Sequence, residues 1–161
     1  SHLDALVLVA MLPLRLLFRT RPAASAEYFL RGRWRAWFAT EVIGIIPVET
    51  GSGRPHAEVL GKVRDALAAG NLVIFFPEGT RGEPECLGKL KTGIVWLAQQ
   101  LPDVPICPVR LCGLGRVLPK GDWLPVPFFC DAWVGEPLHW EGDRQRLMAA
   151  LVASLGGSPV T

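Results

Sequence analysis

Two short blocks hold the residues of this chain best suited to chemistry: Pro77-Glu78-Gly79-Thr80-Arg81 and, a little further on, Lys91-Thr92-Gly93. The first sets a carboxylate, a flexible backbone, a hydroxyl and a guanidinium side by side, able to orient hydroxyl groups and clasp an anion. The plain alternative is a Pro-Gly turn whose Glu78 and Arg81 pair in solvent. Lys91 would enter a helix at its amino end, where the dipole disfavours a cation. An anionic ligand between Arg81, Lys91 and the free N–H groups of that helix removes the conflict, whereas a solvated Lys91 needs no ligand. At the amino end, Ser1-His2-Leu3-Asp4 places an imidazole two residues from a carboxylate. No regular element brings residues at that spacing together, so the pair alone is weak support for an acid–base dyad. Asp4 also reads simply as the N-cap of the apolar segment Ala5 to Leu12.

The elements that must position these groups alternate. After the Asp4-capped helix, Arg15, Arg19 and Arg21 give it a basic end, and Pro22 marks its boundary. Tyr28-Phe29-Leu30 is a short strand candidate. Trp34, Trp37, Phe38 and Val42 fall on one face of a helix flanked by Arg31 and Arg35. Such a face suits either a membrane surface or an ordinary core. Ile43 to Val48 reads as a buried strand, Pro55 to Ala69 as a helix stopped by Gly70, and Leu72 to Phe76 as a strand buried on both faces. Pro77 ends that strand, so Glu78 and its neighbours lie at its carboxyl end, where open α/β sheets bind ligands. A helix begins in Leu87 to Ala98. Pro105 to Arg110 and Phe128 to Val134 are further strands, and Arg144 to Leu155 is a closing helix. The fold class expected is α/β: one domain with a mostly parallel central sheet of about six strands and helices on both faces.

Phe76-Pro77-Glu78-Gly79-Thr80-Arg81 resembles the signature of the glycerolipid acyltransferases, the 1-acylglycerol-3-phosphate acyltransferase family. Three further stretches resemble that family in the same order. Ser1-His2-Leu3-Asp4 is similar to the end of its His-x-x-x-x-Asp motif, Leu90-Lys91-Thr92-Gly93 to its Phe-Lys-x-Gly, and Pro105 to Val109 to its Val-Pro-x-x-Pro-Val segment. The resemblance makes Asp4 the catalytic aspartate and sets the catalytic histidine just upstream of Ser1, with His2 on a variable position. Taking His2 as the base would require an acid at position 7, where Val7 stands. The chain thus reads as starting inside the motif, with an upstream part missing. The family's block Gly-x-x-Phe-Ile-x-Arg, whose arginine grips phosphate, is matched only by Gly44. Thr50 stands where the arginine belongs, and nearby Arg54 is a possible substitute. His56 reads as a surface residue and His139 as non-catalytic.

What the resemblance implies is transfer of a fatty acyl group from acyl-coenzyme A or acyl-carrier protein to a hydroxyl of a lysophospholipid. Asp4 would orient the histidine base, backbone N–H groups near Gly79 would meet the oxyanion, Glu78 and Thr80 would hold hydroxyls, and Arg81 and Lys91 the phosphate. No cofactor or metal is required, the acyl thioester being a co-substrate. A lipid- or acyl-carrier-binding module without catalysis is the rival reading.

Composition sets the remaining bounds. At 161 residues, 50% hydrophobic, 20% charged and with net charge +2, the chain gives no case for nucleic acid. Its four cysteines show no Cys-x-x-Cys spacing and read as reduced thiols, which points to a cytoplasmic face. No uninterrupted apolar run reaches the roughly 18 residues of a span. A bilayer-borne substrate therefore calls for peripheral attachment, with Arg31, Trp34, Arg35, Trp37 and Phe38 as the docking surface. Replacing Trp34 and Trp37 with Ala is expected to leave the protein folded and abolish salt-sensitive binding to anionic vesicles. Vesicle co-sedimentation beside a thermal melt checks this: a large fall in melting temperature with lipid binding unchanged assigns both indoles to the core.

Overall fold

The computed structural model describes residues 2–25, 44–48, 54–79, 87–113 and 131–156. The expected strand at Tyr28, the Trp34–Trp37 helix, Thr50, Thr80 and Arg81 lie outside the described residues. Helix α1 spans His2–Met11 and a single turn, α2, spans Leu14–Leu17. Strand β1 (Thr20–Ser25) follows, then β2 (Ile46–Val48), helix α3 (His56–Ala68) and β3 (Leu72–Ile74). Helix α4 (Gly93–Gln100), strands β4 (Val109–Cys112) and β5 (Asp131–Val134), and helix α5 (Arg144–Gly156) complete the order.

The α/β expectation holds, with three parallel strands in the order β2-β1-β3. Parallel strands need crossovers, and α3 supplies the one from β2 to β3, which flank β1 on its two sides. Its ends follow the sequence: Pro55 occupies the N-cap, and Gly70, at φ +78°, donates its N–H to the Leu67 carbonyl at 2.9 Å. The remaining described strands depart from the mostly parallel expectation, because β4 and β5 pair antiparallel.

Several local expectations are corrected. α1 starts at His2, so Asp4 sits inside its first turn rather than capping it. No basic residue lies in its last turn, and Arg15 belongs to α2. Pro22 does not end a helix but lies within β1, the middle strand. Thr20–Pro22 align with Leu72–Ile74 of β3, and Ala23–Ser25 with Ile46–Val48 of β2. Pro22, which lacks an N–H, thus stands at the handover between partners. Thr20 is buried, yet its hydroxyl donates to the Leu16 carbonyl at 2.8 Å. β3 is shorter than expected and half-buried, flanking β1 rather than running through the centre. The helix sought from Leu87 begins at Gly93, and residues 87–92 are irregular. Near the two prolines at 105 and 108, the chain makes only an isolated bridge, Ile106 to Leu138, before β4 starts.

Two apolar clusters hold these elements. The first joins Ala23, Ile46 and Val48 of the sheet to Leu60 and Val63 of α3 and Leu97 of α4. The second joins Leu90, Ile94, Val95 and Ala98 to Leu147 and Leu151 of α5. Phe75, just past β3, packs against both. Leu60 is 3% exposed. Replacing it with Ala removes buried volume between α3 and the sheet, at a cost of about 2–5 kcal/mol. A chain of this size should then lose between about 4 and 20 °C in melting temperature, read by calorimetry.

Candidate active site

The carboxyl end of β3 becomes a turn in which the Gly79 N–H donates to the Phe76 carbonyl at 3.2 Å. The neighbouring Pro77 carbonyl accepts the Lys91 N–H at 2.8 Å, fastening the segment that leads into α4 onto the turn. The topology brings a third piece to the same edge. In a β2–α3–β3 unit with parallel strands, the helix starts where the first strand ends, so His56 opens α3 at the carboxyl edge of the sheet. These segments enclose a cavity of about 480 Å³ lined by His56, Glu78, Gly88, Lys89, Leu90, Lys91 and Thr92.

Two glycines make the fit possible. Gly79 has φ +67°, and a Cβ there would lie 2.9–3.0 Å from Cδ, Cε and Nζ of Lys91, so the lysine stem lies across bare backbone. Gly88 does the reverse: a Cβ there would be 2.6 Å from Oε2 of Glu78. Each charged side chain therefore uses the space left by a glycine of the opposite segment. Among the described residues neither Glu78 nor Lys91 enters an ion pair or side-chain hydrogen bond. Both are left able to bind something else. Gly93 makes a third close approach, with a Cβ there falling 2.9 Å from Cδ1 of Leu60 and 3.8 Å from Cδ2 of His56.

The structure thus brings together Glu78, Gly79 and Lys91 of the sequence-derived site. Thr80 and Arg81 follow Gly79 directly but are outside the described residues. Asp4 is half-buried in α1 and is not among the residues lining this cavity; for His2 only the backbone, at the start of α1, is described. Arg54 is not in the lining either: its guanidinium meets Glu58 at 3.6 Å. Among the polar lining residues, His56 and Lys89 were given no site role from the sequence, and Thr92 stood there only as part of the Lys91-Thr92-Gly93 block. His56 begins a helix after a strand, which puts it at the ligand-binding edge only through the parallel pairing of that strand.

The family model described as Acyltransferase matches residues 1–112. The chain belongs to the acyltransferase family. A chloroplastic 1-acyl-sn-glycerol-3-phosphate acyltransferase of Brassica napus is 32% identical over 84 residues, 52% of this chain and 24% of that protein. A 1-acyl-sn-glycerol-3-phosphate acyltransferase of Pseudomonas aeruginosa is 32% identical over 87 residues, 54% of this chain and 33% of that protein. The chain thus spans about a quarter to a third of the length of these relatives. The crystal structure of PlsC, the 1-acyl-sn-glycerophosphate acyltransferase of Thermotoga maritima, shares the fold. Its TM-score is 0.61 at 19% identity, covering 85% of this chain and 62% of that one. In this acyltransferase domain the Glu78 turn and the Lys91 segment, both within the matched residues, share one cavity.

The two cavity glycines should respond differently to Ala. Gly79→Ala forces a Cβ into the left-handed region and against Lys91, costing about 1–2 kcal/mol from backbone strain alone. Gly88→Ala, with ordinary backbone angles, meets only the movable end of Glu78 and should change stability by less than about 1 kcal/mol. Denaturant titration of both variants measures the difference.

Proposed function

We propose that the protein transfers a fatty acyl group from an acyl thioester to a hydroxyl of a lysophospholipid such as 1-acylglycerol-3-phosphate, at a membrane surface. The observation that carries this reading is the meeting of Glu78 and Lys91, neither held by an ion pair among the described residues, in one cavity at the carboxyl edge of a parallel sheet. A carboxylate accepts hydrogen bonds from hydroxyls, and an ammonium group takes an anion. Together they suit a substrate carrying both. Relatives named 1-acyl-sn-glycerol-3-phosphate acyltransferases add support to the choice of acceptor.

In this reading a histidine ahead of Ser1, oriented by Asp4, takes the proton of the acceptor hydroxyl. The oxygen attacks the thioester carbonyl, and the tetrahedral oxyanion is met by backbone N–H groups about Gly79. The carbon–sulfur bond then breaks, the thiol leaves with the proton held by the histidine, and an ester remains. Glu78 and Thr80 align the acceptor hydroxyls, and Lys91 and Arg81 hold its charge. Acyl-coenzyme A or acyl-carrier protein is the donor. The site faces the cytoplasm, and attachment to the membrane is peripheral. No helix among the described residues is long and apolar enough to cross a bilayer.

Radiolabelled acyl transfer by the full-length protein to a panel of lysolipids tests the assignment. Transfer to a lysophospholipid is expected, with Asp4→Asn lowering kcat by about 10²–10⁴-fold at unchanged melting temperature. Lysolipid binding without any transfer would instead identify a lipid-binding module.

A further inference from the structure

The cavity holds more positive charge than Lys91 alone. Lys89 lines the same space, and among the described residues it enters no ion pair, so two lysines face one carboxylate there. His56 adds a third nitrogen group. Its Nε2 lies 3.2 Å from Oγ1 of Thr92, a hydrogen-bond distance that ties the first residue of α3 to the residue preceding α4. Thr92 stands at the N-cap of α4 yet makes no cap with its side chain, its hydroxyl being turned across to the histidine. With the Thr92 hydroxyl donating to Nε2, the neutral ring carries its proton on Nδ1 and offers it to a ligand; with Nε2–H donating to Oγ1, Nδ1 is an acceptor instead. The positive ends of two helix dipoles add to the field at the same edge.

We propose that His56, Lys89 and Thr92 extend the cavity into a phosphate-ester subsite, with His56 as a residue that binds the phosphate. The inference rests on the reading of the protein as an acyltransferase acting on a phosphorylated lipid. The ligand implied is a phosphate ester that also carries hydroxyls, because Glu78 occupies one wall and would repel a second anion. Two partners of that reaction present a terminal phosphate monoester: the acceptor headgroup, and the 3′-phosphate of a coenzyme A donor. The subsite is exposed on its His56 side, so substitution there leaves the two core clusters untouched.

The test compares the full-length protein with its His56→Ala and His56→Gln variants, and with His139→Ala as a control at an exposed histidine outside the cavity. Loss of a charge-assisted hydrogen bond should raise the relevant KM by about 10- to 100-fold, with kcat little changed. His56→Gln should recover part of the loss, and His139→Ala should have no effect. A rise in KM for 1-acylglycerol-3-phosphate, absent with monoacylglycerol, places the acceptor phosphate in the subsite. A rise for acyl-coenzyme A, absent with its 3′-dephospho analogue, places the donor phosphate there. Equal KM values for wild type and His56→Ala with all four compounds overturn the proposal while leaving the acyltransferase reading intact. A second readout needs no turnover: millimolar glycerol 3-phosphate and inorganic phosphate should raise the melting temperature of the wild type and not of His56→Ala. If no acyl transfer is found at all, that stabilisation alone upholds the subsite, and its absence in the wild type removes it.

Discussion

The hydrogen bond from the Lys91 N–H to the Pro77 carbonyl is the contact on which the site depends. Two separate segments are joined there through backbone atoms, so the joint does not depend on which side chains surround it. A proline suits the accepting position: it has no N–H of its own to satisfy, while its carbonyl stays free to accept. Once the joint is made, the lysine stem has to cross Gly79 and the Glu78 carboxylate has to reach Gly88. A Cβ at Gly79 would strain the backbone as well as press on the lysine stem, whereas one at Gly88 would meet only the movable end of Glu78. Gly79 is therefore the steric requirement of the pair.

Packing behind the site fixes the joint in space. Phe75 belongs to both apolar clusters, one centred on the sheet and α3, the other on α4 and α5. The turn carrying Glu78 begins at Phe76, the residue after Phe75, so movement between the clusters would move the carboxylate. Gly93 lets the start of α4 come close enough to Leu60 and His56 for the Thr92–His56 contact. Pocket shape and core packing are here the same problem, because Leu90, between exposed Lys89 and Lys91, both lines the cavity and fills the second cluster.

Much of this was legible in the residues themselves. The helix from Pro55 to Gly70 carries its start and stop signals, and the apolar run at Leu72 followed by Pro77 identifies a strand with a site at its carboxyl end. The middle strand was not legible. Thr20–Ser25 has no apolar run or alternation, and its proline argues against a strand with neighbours on both sides. The site residue His56 was overlooked for a related reason: its importance comes from topology, since only the parallel pairing of β2 with β1 and of β1 with β3 puts the start of α3 at the ligand edge. Periodicity reports how one segment meets the core. It says nothing of which segments become neighbours.

The order β2-β1-β3 also bears on the chain as it is synthesised. Both partners of β1 lie after it, so a growing polypeptide carries its middle strand unpaired until residues 46–48 have been made, and half-paired until residues 72–74 follow. An exposed strand of Val and Ile would be an invitation to pair with the wrong chain during that wait. Thr-Arg-Pro-Ala-Ala-Ser is a poor template for such pairing, having a charge, a missing donor and almost no apolar surface. The weak strand character that hides β1 from sequence reading thus protects a nascent chain from aggregation.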